Sequence, residues 1–284
     1  MAATVVISDE VGVIDGALAL TCDAGWVVES VEIGLPEPRA VVENRPLGNG
    51  TIDRTGYAAA RTITLGLVVA DDPSTRQALL DQLAPYLYPA ARPWLGIATD
   101  PLAPLRWYQV RATDLSGPWE QPEYLRATVG FVTAGLPWGQ SGDLHTVNVW
   151  PGTGAGGRTY NLAFDRVYPS ALPDVAVAYN AGAAPAPWTA TIYGPVTAPR
   201  LDNLTTGQAI VTTSKLVVAA GDWVVIDSTA RTLMADGVSS RYYTLDFTQT
   251  EWFTLVPGQS RLTVHGTDTQ TPAMAVITWR DAYL

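Results

Sequence analysis

Scarcity is the first feature of the sequence: in 284 residues there is one cysteine, two histidines, three methionines and four phenylalanines. With Cys22 alone, an intrachain disulfide and a cysteine-based metal site are both excluded. Lys215 is the single lysine, and the sixteen arginines (seventeen basic residues less one lysine) are scattered singly. A sequence-independent grip on nucleic acid needs clustered Lys and Arg facing phosphates, and no such cluster occurs. The longest apolar runs, such as Ile63 to Ala70, fall far short of the roughly 20 residues of a membrane span. The N-terminus has no basic stretch and carries Asp9-Glu10 early, so no signal peptide is expected. Charged residues make up 15%, against a usual share of about 25%. That deficit is expected where surface is buried against neighbouring molecules.

What the sequence does contain is apolar and turn-rich. Hydrophobic residues reach 47%, net charge is −10, and 25 glycines and 21 prolines punctuate the chain. This balance supports packed cores, and the length suggests two domains. Between the turn formers lie short alternating segments rich in β-branched residues: Thr4 to Ile7, Trp26 to Ile33, Arg61 to Val69, Trp107 to Ala112 and Leu125 to Phe131. One segment breaks the pattern. Leu79, Leu80, Leu83 and Leu87 fall at helical spacing after Asp72-Pro73, a cap and a first-turn proline, which predicts a helix over 73–84 ended or kinked by Pro85. Residues 141–158 are dominated by turn formers and read as a Gly-rich linker, dividing an N-terminal domain (1–140) from a C-terminal one (159–284). The second half shows about eight strand patterns, among them Tyr242 to Phe247, and predicts a β-sandwich of jelly-roll kind. The expected fold class is mainly β throughout, with one amphipathic helix in the first domain.

Candidate chemistry is thin. His145 and His265 are the only groups suited to acid–base work near neutral pH, and no GxSxG elbow accompanies them. Thr153 to Arg158 has the glycines of a phosphate loop, but strand-like NLAF follows where a P-loop has a helix. Asp222, Asp227, Asp236 and Asp246 could be paired as in a glycosidase, yet they fall in turns that favour Asp for local hydrogen bonding. No HExxH or EF-hand spacing implies a metal, and no cofactor is expected. Of the ten tryptophans, Trp188, Trp223, Trp252 and Trp279 lie in or beside strands. Core or interface burial is the default for them, and a sugar-stacking platform is the alternative.

An ordered series of pieces resembles the siphophage distal tail protein family. It runs from TYNLAFDRVYP (159–169) and YNAGAAPAPWTATIYGPVTAPRLDNLTTGQAIV (179–211) through LVVAAGDWVVIDSTARTLMADG (216–237) and FTLVPGQSRLTVHG (253–266) to AVITWRDAYL (275–284). In the first half AARTITLGLVV (59–69) and TVGFVTAGLPW (128–138) match more loosely. The resemblance implies a non-enzymatic virion protein of the tail tip, made in the cytoplasm of a bacterial host. Its N-terminal domain would form a homo-oligomeric ring of six, and a galectin-like or carbohydrate-module-like sandwich would project outward. The implied partners are the tail tube protein, the tail-associated hub (baseplate) protein and the C-terminus of the tape measure protein, with DNA passing through. The rival functions are recognition of a cell-wall polysaccharide by the sandwich and, disfavoured by the empty site survey, wall degradation.

Residues 42–61 carry a turn-forming PLGNG between strand-like flanks and read as an extended hairpin, which persists best when a neighbour covers it. Pro46, Gly48, Arg54 and Arg61 are therefore the candidate interface residues, the arginines being suited to bidentate pairing with carboxylates.

Overall fold

The computed structural model describes residues 3–39, 42–44, 49, 51–53, 57–69, 73–100, 102–120, 124–151, 175–267 and 273–284. The chain divides into two compact units, Met1–Asp143 with Tyr283–Leu284, and Leu144–Ala282.

The first unit is built on a nine-stranded, antiparallel sheet. Its main path runs Leu18–Leu20, Thr4–Ser8, Trp94–Ala98, Arg106–Glu120, Leu125–Thr133, Thr62–Val69, Val27–Ile33, and two short strands, Gly139–Ser141 and Ala282–Tyr283, join off this path. Arg106–Glu120 is the long element at the centre. Its first four residues pair with Trp94–Ile97, and the remainder, from Val110 to Glu120, pairs with Leu125–Thr133 across two irregularities in register. Along Leu125–Thr133 every second residue is buried, as period-two alternation dictates for a sheet with one face on a core.

The helix spans Pro73–Leu87 and lays Leu79 and Leu83 into the core beside Ile63, Leu65, Val129 and Phe131. Leu80 and Leu87 pack partly buried at its margin. It runs three residues beyond the expected end at Ala84, with Pro85 inside the final turn. Pro85 has no N–H to donate to the Asp81 carbonyl one turn back, and the helix ends two residues later. The expected cap, Asp72, lies outside the described residues. Pro38–Arg39 pairs with Tyr57–Ala58, and Val42–Asn44 with Thr51–Asp53, so the described residues of this arm pair as two antiparallel ribbons.

The second unit has two antiparallel sheets. One runs His145–Val149, Met274–Trp279, Trp188–Tyr193, Trp223–Asp227, Thr232–Ala235, Ser239–Ser240. The other runs Val175–Asn180, Gly258–Thr267, Val196–Asn203, Gln208–Val211, with Val217–Val218 added on Val196–Asn203. Alternating burial along Val175–Asn180, Trp188–Tyr193 and Met274–Trp279 gives each sheet one inward face, the pattern of a sandwich. The Trp279 indole N–H, from one sheet, donates to the Tyr179 carbonyl of the other at 3.1 Å.

Two expectations need correction. His145–Val149, placed in the linker by its turn-rich surroundings, is a strand of the second unit, and its alternation His-Thr-Val-Asn-Val supplies the reason. Tyr242 to Phe247 is not a strand: Tyr242–Thr244 forms a 3₁₀ turn, followed by an Asp246-centred turn in which Thr248 and Gln249 donate to the carboxylate. The glycines of 153–158 lie outside the described residues.

Candidate functional site

The residues that could carry chemistry are dispersed in the fold. His145 Nε2 lies 3.2 Å from Asp281 Oδ2, and His265 Nε2 lies 3.9 Å from Asp202 Oδ2 on the paired strand. Among the described residues each histidine ring has a carboxylate neighbour, as a structural histidine does, and no hydroxyl or thiol partner. The four aspartates act as turn residues. Asp227 Oδ1 accepts from the Thr229 and Ala230 N–H groups, and Asp246 Oδ1 accepts from Thr248 N–H at 3.0 Å. Asp236 occupies the left-handed region at φ 51°, and Asp222 closes a turn onto the Ala219 carbonyl. Among the described residues no group of three or more His, Cys, Asp or Glu is placed to hold a metal ion, and no helix is long and apolar enough to cross a membrane.

The tryptophans split. Trp188 and Trp279 are buried, the first donating to the Phe253 carbonyl at 3.0 Å and lying tilted against the Phe253 ring with centroids 4.9 Å apart. Trp252 is half-buried, and Trp223 is 39% exposed. The exposure of Trp223 follows from its position, at the outward phase of its strand's alternation. Close to it in sequence, Tyr243 and Phe247 are 64% and 61% exposed, and Phe247 leans on Tyr242 with ring centroids 5.4 Å apart.

Of the expected interface residues, Pro46, Gly48 and Arg54 lie outside the described residues. Arg61 is described, and it is buried, at 2% exposure. Its backbone is fixed from both sides: Arg61 N–H donates to Thr133 Oγ1 at 2.9 Å, and Thr133 N–H donates to the Arg61 carbonyl at 2.9 Å. Arg61 lines a cavity of about 310 Å³ with Arg106, Tyr108, Ile33, Leu35, Ile97 and Leu284. One guanidinium nitrogen of Arg61 reaches the Tyr108 hydroxyl at 3.5 Å, the long limit of a hydrogen bond, and the group lies 5.7 Å from the Tyr108 ring centroid. Arg106, exposed, is held over the Tyr283 ring at 4.4 Å. Arg106 and Tyr108 escaped sequence reasoning because the strand Leu125–Thr133 intervenes between theirs and the one that follows Arg61. No local pattern in Arg-Trp-Tyr announces that meeting.

The described residues of this mainly β chain hold no group of three or more metal-ligating side chains, and its conspicuous features lie on surfaces and in a cationic cavity. The family model for the siphovirus-type tail component, C-terminal domain, matches residues 181–283. Over its whole length the chain is similar in fold to Dit (gp 19.1) of phage SPP1, described as a paradigm of the hub adsorption apparatus in Gram-positive infecting phages. The TM-score is 0.67 at 12% identity, covering 100% of both chains. It is also similar to chains of the phage P2 baseplate in its activated conformation. With Ca the TM-score is 0.51 at 12% identity over 99% of this chain and 98% of that one. With Sr it is 0.52 at 11% identity over 98% of each. No curated protein matches at the level of sequence.

Proposed function

We propose that the chain is the distal tail protein of a siphophage: six copies close into a ring at the tail tip, joining the tail tube protein to the hub protein beneath. The observation that carries this reading is a fold shared with SPP1 Dit over the full length of both chains, together with the tail-component domain at residues 181–283. A ring of one kind of chain needs a heterologous interface that closes on rotation, and the exposed arm begun by Pro38–Arg39 and Tyr57–Ala58 is the element that would make it. The role is structural and needs no catalysis. Six chains at −10 each total −60, and a lumen of neutral or acidic character would let DNA pass without retaining its phosphates. The tape measure protein would end against the same ring, and the chain would be made in the cytoplasm of the infected bacterium.

Electron microscopy of tails labelled with an antibody to this chain tests the reading. Label at the tip and a closed sixfold ring are the expected result, and absence from the tip would overturn it.

A second reading has one specific support. Tyr242, Tyr243 and Phe247 form an exposed aromatic group of the kind on which sugar rings stack. Binding of the protein to purified host cell walls, lost on Tyr243→Ala with Phe247→Ala, would establish recognition of a wall polysaccharide. Equal retention of wild type and variant would remove that role from these rings.

A further inference from the structure

We propose that the cavity around Arg61 is a carboxylate-binding site, and that its occupant is an aspartate or glutamate side chain of a second copy of this chain. The occupant rests on the ring reading above; the site itself does not.

Among the described residues the Arg61 guanidinium has no carboxylate partner. It cannot shed its proton, so burial leaves the full cation in place. Its Nε has no hydrogen-bond partner, and its one side-chain bond is the 3.5 Å contact to Tyr108. A buried, unpaired charge is strongly unfavourable, and a partner that arrives on assembly removes the deficit.

The cavity's chemistry selects the partner. A carboxylate is planar and offers two oxygens to the donor fork of a guanidinium, and the Tyr108 hydroxyl adds a third donor. Arg106 brings a second cation to the same cavity, while Ile33, Leu35 and Ile97 give its wall an apolar part. A volume of about 310 Å³ exceeds what a bare ion fills and admits a side chain whose methylenes lie on that wall. The chain's own composition supplies such groups. With 27 acidic and 17 basic residues, at least ten carboxylates per copy (27 minus 17) have no cation to pair with inside it.

Removing the side chain should leave the fold intact, because the Thr133 bonds use only the backbone of residue 61. Arg61→Met should therefore melt no lower than wild type. Glutarate is the probe, compared with chloride at equal ionic strength. Wild type should gain thermal stability with glutarate, and Arg61→Met should need about tenfold more or show no gain. Arg106→Ala, an exposed change, should weaken the response severalfold and serves if Arg61→Met does not fold. An equal response in wild type and both variants, or none in wild type, overturns the site. Assembly is read separately, by supplying each chain in trans to a phage lacking its gene and counting complete tails. Wild type should restore tails and Arg61→Met should not. If Arg61→Met loses the glutarate response yet restores tails fully, the second-copy occupant is wrong. If wild-type chain never enters tails, the ring reading itself has failed, and the occupant with it. The glutarate comparison decides the site in either case.

Discussion

His145 and Asp281 meet across 136 residues of sequence, with Nε2 3.2 Å from Oδ2, and so tie an edge strand of the six-stranded sheet to the end of the strand beside it. The other oxygen, Oδ1, accepts the Ala181 N–H at 3.0 Å, while the His145 ring stacks on Trp279 at 5.5 Å. Asp281 is 5% exposed, and its loss would leave the part-buried Ala181 N–H without this acceptor. Asp281→Ala should lower stability by about 1–3 kcal/mol in urea denaturation. Asp281→Asn, which keeps an acceptor for Ala181, should recover part of that. Equal effects from both substitutions would show that the Ala181 bond contributes nothing.

Gly182 sits against the same junction. A Cβ built on it would lie 1.7 Å from the Ala282 carbonyl oxygen, and the obstacle is backbone that no rotamer change can clear. Gly182→Ala should cost about 3 kcal/mol or more, at the upper end of overpacking. At Gly207, where a Cβ would meet nothing within 4 Å, the cost comes only from the positive φ of 79° and should be about 1 kcal/mol. Comparing the two variants' urea midpoints checks the order.

The Asp246 carboxyl is held below its ordinary value by the Thr248 side-chain hydrogen bond first, then the Thr248 backbone N–H, with smaller help from Gln249. A depressed folded-state value contributes stability above the unfolded value, and that contribution disappears as pH falls through the folded one. Carboxyl NMR titration should place the Asp246 midpoint below 3.8. Thr248→Ala should raise it. A midpoint unchanged by Thr248→Ala would show that the hydroxyl does not bond the ionised form.

Pro38, Arg39, Tyr57 and Ala58 at the base of the arm are all exposed. Replacing residues 40–56 with a short turn should leave the melting temperature of the protein unchanged within a few degrees. Incorporation into tails, counted by complementation, should fall to background. Normal incorporation would take the arm out of the ring contact.

The sequence disclosed the parts whose signals are local. Trp188 to Tyr193 alternates strictly and is a strand with those same bounds. Leu79 and Leu83 sit at helical spacing and fill the core of the first unit. Tyr242 to Phe247 misled because aromatic and β-branched residues favour strands on average, while here Asp246 gathers Thr248 and Gln249 into a turn. Leu18–Leu20 and Trp94–Ala98 went unread because both are short, and the second follows Pro93 and contains Gly96. The Arg61 cavity was legible only as an arginine of interest. Its second cation and its tyrosine come from a strand whose pairing partners are fixed by the whole sheet.

The central strand Arg106–Glu120 has two long ladders, one along its first four residues and one along the rest, besides a short one at Arg106–Trp107 with Gly139–Ser141. A pull along its axis loads both ladders in shear, so many hydrogen bonds share the tension before any one gives. A pull on an edge strand such as Val27–Ile33 could instead peel it rung by rung. The unit therefore resists stretching most strongly along one direction, as plywood does along its grain.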